Sequence, residues 1–165
     1  MSAQVQPFVV NTSPLIHLAE AGLLHLLADA APSVWVPQPV AQEIRTYGKQ
    51  DPTARALATA PWLEEHPVPA APSPELLAWD LGAGESAVLE LAQAFPGSTA
   101  VIDDLAGRRC AEALGIPLRG TVGLVLAAKQ AGRLPTARLV LERLRDSGMY
   151  LSDRVLQRAL SLVGE

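Results

Sequence analysis

STAVIDDLAGRR, residues 98–109, sets a short apolar run, two adjacent aspartates and a helix opening in direct succession. Ala100, Val101 and Ile102 have the continuity of a strand buried on both faces. Asp103 and Asp104 then fall where that strand must turn into a helix over residues 105–114, which Gly115 ends. Two carboxylates thus stand at the carboxyl end of a parallel strand, the edge at which open α/β sheets bind ligands. The same spacing lets one of them simply cap the following helix.

Outward from this stretch, the chain alternates between short apolar runs and helical patterns. Residues 5–10 read as a first strand that delivers Asn11 to the same sheet edge. Thr12-Ser13-Pro14 follows as a helix start, with Ser13 as the cap and Pro14 at the first helical position, where its missing N–H costs nothing. That helix reaches Gly22, and residues 23–30 form a second, apolar one. A strand at 34–36 precedes a helix over 37–47, in which Val40, Ile44 and Tyr47 share a face. Glu43 borders that stripe, either as a surface carboxylate extending past its neighbours or as part of a site.

Residues 51–60 suit a short helix and 62–68 an irregular strand interrupted by Pro67, with a Pro- and Ala-rich loop over 67–74. Leu81-Gly82-Ala83-Gly84-Glu85-Ser86 opens a helix running to Phe95. Glu85 is in its first turn, which suits the helix dipole as well as a ligand-binding role. A last strand is expected at 116–118. Gly120-Thr121 starts an almost wholly apolar helix with Thr121 as cap, and amphipathic helices follow at 136–145 and 152–163. Strands alternating with helices predict an α/β fold in three layers. The expectation is one domain over 1–165 with a central parallel sheet and a helical tail from about residue 135.

With 165 residues, 49% of them hydrophobic, the chain can bury a substantial core. Its formal charge of −4 argues against broad electrostatic adhesion to nucleic acid. A local basic patch remains open, because Lys49 and Lys129 are the only lysines among 13 basic residues and arginine grips phosphate through a bidentate fork. The single cysteine, Cys110, lies in a helical pattern as a core residue and can form neither an internal disulfide nor a thiolate zinc cage. No run is long and apolar enough to be a leader or a membrane span, so a soluble, cytoplasmic protein is expected. His17, His25 and the loop residue His66 have no evident metal or nucleophile partner.

Asn11, Glu43, Glu85, Asp103 and Asp104 come from four separate stretches that such a fold can bring to one edge. Four carboxylates without intervening cations repel one another unless some protonate or a divalent cation neutralises them. Oxygen-only ligands suit Mg²⁺ or Mn²⁺ better than zinc, and such sites commonly act on phosphates. Ser13, Arg108 and Arg109 are candidates for holding a substrate phosphate, although Ser13 also suits a cap and either arginine a carboxylate partner.

In VVNTSPLIHLAEAGLLHLL, VPQPVAQEI, LGAGESAVLELA and VIDDLAGRRCAEALGIPLRGTVGLVLAAKQAGRL, taken in that order, the chain resembles the PIN-domain nucleases, in particular the branch known as domain of unknown function 3368. The resemblance implies a Rossmann-like three-layer domain and Mg²⁺- or Mn²⁺-dependent cleavage of RNA. It further implies the toxin of a toxin–antitoxin pair, held inactive by a small antitoxin protein. By position it makes Glu43, Glu85 and Asp103 catalytic and metal-binding, with Asp104 as an additional ligand. Asn11 departs from it, since aspartate is general in the family at the end of the first strand. An asparagine keeps a carbonyl oxygen but removes one negative charge. A catalytically weak or inactive module that binds nucleic acid or protein is therefore the rival reading. A phosphatase or receiver-type domain fits less well, because Asn11 stands where a receiver's acidic pair would be and no DxD motif is present. A homodimer through apolar helical surface such as residues 23–30 is also expected.

Overall fold

The computed structural model describes residues 6–69 and 71–165. Five parallel strands, β1 (Phe8–Val10), β2 (Val34–Pro37), β3 (Leu63–His66), β4 (Thr99–Val101) and β5 (Leu118–Arg119), form one sheet in the order β3-β2-β1-β4-β5. Successive strand side chains point to opposite faces, yet Val9 and Val10 are both fully buried, so helices cover the sheet on both sides. The chain builds β1, β2 and β3 outward in one direction, then returns to add β4 and β5 on the other flank of β1. Strand order therefore reverses between β1 and β4, which opens a crevice at their carboxyl ends. Val10 is in register with Val101, so Asn11 and Asp103 leave the sheet at nearly the same level.

The helices are α1 (Thr12–Glu20), α2 (His25–Ala30), α3 (Gln38–Arg45), α4 (Pro52–Thr59), α5 (Pro74–Leu77), α6 (Ala83–Ala94), α7 (Leu105–Ala113), α8 (Thr121–Gln130), α9 (Ala137–Asp146) and α10 (Asp153–Leu162). The α/β architecture matches the sequence reading, and the differences are local. The first strand occupies only Phe8–Val10 of the expected 5–10, and Val5 lies outside the described residues. Asn11, in place of Ser13, is the cap of α1, and its side chain makes no capping bond. Pro14 consequently occupies the third helical position, still within the turn whose N–H groups have no helical acceptor. Helix α3 ends at Arg45, so Tyr47 lies beyond it and is 41% exposed instead of sharing the buried face.

Helix α5 starts at Pro74, the last residue of the expected loop, and its first turn is closed by Ser73 Oγ accepting from the Leu76 N–H at 3.2 Å. His66 belongs to the edge strand β3, not to a loop, and its ring stacks on Trp35 at 3.9 Å between centroids. Cys110 is buried, as its helical pattern suggested.

Helix α8 packs against α1, α2, α9 and α10. This packing buries Leu23, Leu26 and Leu27 inside the chain, so the apolar surface expected to support a homodimer is core. Glu165 fastens the helical tail. Its carboxylate accepts from the Ala137 N–H at 2.6 Å, the Thr136 hydroxyl at 2.7 Å and the Arg138 N–H at 3.2 Å, capping α9 from the far end of the chain. The Ala137 N–H and then the Thr136 hydroxyl hold this carboxyl below its ordinary value. Its contribution is thus complete above the ordinary carboxylate range and is lost as pH falls through the lowered native value. Glu165→Gln is expected to melt below wild type at neutral pH, and thermal melts should show the gap closing on acidification below about pH 4.

Candidate active site

Two concavities open at the carboxyl edge of the sheet, and Ser13 lines both. The smaller, about 340 Å³, gathers Asn11 from the end of β1, Glu43 from α3 and Glu85 from the first turn of α6. Glu43 Oε2 accepts from the Thr12 hydroxyl at 2.9 Å, and its Oε1 accepts from the Tyr47 hydroxyl at 3.1 Å. Burial, then the bond to Glu43, raises the Tyr47 hydroxyl above its ordinary value, so it remains a donor at neutral pH. Asn11 Nδ2 donates to Glu85 Oε1 at 3.2 Å. The other end of that amide, Oδ1, is buried and has no hydrogen-bond partner among the described residues. Gly84 leaves room for it, since a Cβ there would come within 2.8 Å of Oδ1. Thr12, Tyr47 and Gly84 were not singled out as site residues from sequence. Only Gly84, directly before Glu85, carried a local signal.

The larger concavity is a groove of about 940 Å³ that begins at Asp103 and Asp104 and runs past β5 towards α10. Both Asp103 oxygens are engaged by one residue: Oδ1 accepts the Thr121 N–H at 2.7 Å and Oδ2 the Thr121 hydroxyl at 2.6 Å. Gly120, in place of Thr121, is the cap position of α8, and the buried Thr121 binds the aspartate two residues beyond β4. Asp104 takes the bland role its position allowed, capping α7 through Oδ2 and the Gly107 N–H at 3.1 Å. Arg108 donates to the Ile102 carbonyl at 3.0 Å and lines the groove, whereas Arg109 is exposed and lines neither concavity.

The model of the PIN-domain family known as domain of unknown function 3368 matches residues 7–165. The chain belongs to that family. No curated protein matches this PIN domain in sequence. Among solved structures it is similar to the PIN domain endonuclease Utp24, with a TM-score of 0.51 and 13% identity over 72% of this chain and 86% of that one. Such a likeness concerns the fold alone.

A divalent cation fits the smaller pocket of this PIN domain by donor chemistry. Its unpartnered, buried Asn11 oxygen and the carboxylates of Glu43 and Glu85 are hard oxygen donors of the kind Mg²⁺ and Mn²⁺ prefer. The wider acidic cluster expected from sequence is not assembled. Among the described residues no three Asp, Glu, His or Cys side chains come together closely enough to hold an ion. Asp103 accepts from Thr121 at the start of α8, and Asp104 accepts from Gly107 in the first turn of α7. Among the described residues no helix is long and apolar enough to cross a membrane.

Proposed function

We propose that this PIN domain is a metal-dependent ribonuclease with Asn11, Glu43 and Glu85 at its centre and Asp103 and Asp104 at its border. The buried Asn11 oxygen without a partner carries this reading: leaving such a group unpaired costs free energy that an occupant of the pocket would recover. Asn11, Glu43 and Glu85 would hold Mg²⁺ or Mn²⁺, which supplies a Lewis acid for the phosphoryl oxygen and acidifies bound water. The chain's own groups do the positioning. Thr12 and Tyr47 fix the Glu43 carboxylate, and Asn11 fixes Glu85. Ser13, exposed between the two concavities, and Arg108 in the groove are placed to donate to a phosphate on either side of the cut.

Activity as a toxin restrained by a small antitoxin protein is the physiological setting we attach to this chemistry, on family resemblance. One observation favours a second reading, a binding module with weak or no hydrolysis: Asn11 brings an amide where a third charge would strengthen metal binding, and spends its N–H on Glu85. Incubating purified protein with mixed-sequence RNA in Mn²⁺, Mg²⁺ or chelator tests the choice, with Glu85→Gln prepared alongside. The expected result is metal-dependent cleavage that Glu85→Gln loses. Metal binding without cleavage by the wild-type protein would select the binding module.

A further inference from the structure

We infer that the groove running from Asp103 to α10 is a track for single-stranded nucleic acid, with Tyr150 as a base-stacking platform and Arg119 as a phosphate contact. The inference rests on the nuclease reading for its direction, because Ser13 joins this groove to the smaller pocket and a strand lying in it would lead into that pocket.

Tyr150 is 90% exposed, and its hydroxyl makes no hydrogen bond among the described residues. Its mounting is nevertheless firm. Gly148, at φ +115°, turns the chain after α9, and the Met149 N–H donates to the Leu144 carbonyl at 3.1 Å. Met149 and Leu151, on either side of the tyrosine, are buried, and Ser152 caps α10 immediately afterwards. The backbone is thus anchored on both flanks while the aromatic ring is held out over the groove. An aromatic side chain presented in this way contributes little to the core and is suited to a planar, sequence-tolerant partner.

The groove carries two guanidinium groups, Arg108 and Arg119, alongside two carboxylates, Asp103 and Asp104. Arg119 is half-buried at the end of β5, with its guanidinium 5.8 Å from the centre of the Phe8 ring, and Arg108 is tied to the Ile102 carbonyl. Neither arginine is in an ion pair among the described residues. The groove's own carboxylates, Asp103 and Asp104, accept from Thr121 and Gly107, neutral donors that leave their charge in place at the groove's start, so the phosphate contact is a local one at the guanidinium groups. Preoriented guanidinium groups along a channel, with an exposed aromatic ring beside them, are the combination by which proteins hold single strands without reading their sequence. Val122, Leu126 and Val155 line the same groove and give bases an apolar wall.

Fluorescence anisotropy with a short, labelled single-stranded RNA of mixed sequence, in chelator so that no cleavage intervenes, tests the inference. Tyr150→Ala should weaken binding about tenfold while Tyr150→Phe stays within about twofold of wild type, because the ring and not the hydroxyl supports the base. Arg119→Gln should weaken binding and reduce the slope of log affinity against log salt by about 0.7, one phosphate's share for a single strand. Unchanged binding in both Tyr150→Ala and Arg119→Gln would overturn the track, as would absence of binding by the wild-type protein or preference of the groove for an apolar peptide over RNA. The nuclease reading is judged separately. Glu85-dependent cleavage with unaltered binding by both Tyr150→Ala and Arg119→Gln would leave the enzyme and remove the groove, whereas groove-dependent binding without cleavage would do the reverse.

Discussion

Asn11→Asp is expected to destabilise the fold by about 3 kcal/mol at neutral pH without metal, and a divalent cation should restore most of that loss. Asn11 is only 3% exposed, and its Nδ2 faces Glu85 Oε1 at 3.2 Å. The substitution replaces a donor with a charged acceptor, so two carboxylates confront each other where an amide and a carboxylate now bond. Two like charges about 4 Å apart repel by about 4 kcal/mol at an effective dielectric constant of about 20. A proton shared within the pair relieves part of this, and a bound cation relieves more. A ligand at about a hundredfold its dissociation constant stabilises the folded state by about 2.7 kcal/mol. Urea unfolding of wild type, Asn11→Asp and Asn11→Ala in Mn²⁺ and in chelator checks this. Asn11→Ala loses the hydrogen bond without adding charge, so it should be destabilised less and regain little with Mn²⁺. Equal stability of Asn11→Asp and wild type in chelator would mean that Asn11 does not face Glu85. The same experiment bears on function, since strong stabilisation of Asn11→Asp by Mn²⁺ would show that the pocket is a cation site tuned down by its asparagine.

The sheet was readable in the sequence because parallel strands buried on both faces leave continuous apolar runs, as in Phe8–Val10 and Ala100-Val101-Ile102, and because turn residues separate them from helices. The edge strand β3 was less clear: only Leu63 is buried there, and Glu64 and Glu65 break the apolar signal. Helix α5 was missed although Ser73-Pro74 has the cap-then-proline pattern, since the surrounding prolines favoured a loop. Ser13 and Asn11 are both good caps, and proline is tolerated throughout the first turn, so local propensity could not choose between them. The tertiary bond to Glu85 is what employs the Asn11 side chain elsewhere.

For the site, placing Asn11, Glu43 and Glu85 together required only that α3 and α6 pack at the same sheet edge, which the strand order brings about. The engagement of Asp103 by Thr121 was not legible. It depends on Thr121, 18 residues later, arriving beside Asp103 through β5. No pattern within either stretch reports that meeting.

That meeting gives the second large effect. Asp103→Ala is expected to cost about 3 kcal/mol, because it strands the N–H and hydroxyl of a residue with no solvent access. Thr121→Val, which removes the hydroxyl and keeps the N–H bond to Oδ1, should cost about 1.5 kcal/mol. Combined, the two substitutions should cost less than their sum, because each removes the same hydroxyl–carboxylate contact. Strict additivity in a urea-denaturation cycle would mean that the contact does not form. Asp103→Asn separates charge from geometry: its amide oxygen can still accept the Thr121 N–H, and the threonine hydroxyl can rotate to accept from its Nδ2. This variant should therefore stay within about 1 kcal/mol of wild type. Its cleavage of RNA then carries a meaning that Asp103→Ala cannot. If Asp103→Asn folds and still cleaves, the side chain acts by seating α8 at the edge of the crevice; if it folds and does not cleave, the negative charge itself is required. Each oxygen of this carboxylate accepts one neutral donor and keeps a further lone pair, so a charge requirement could be met with Asp103 still seated on Thr121.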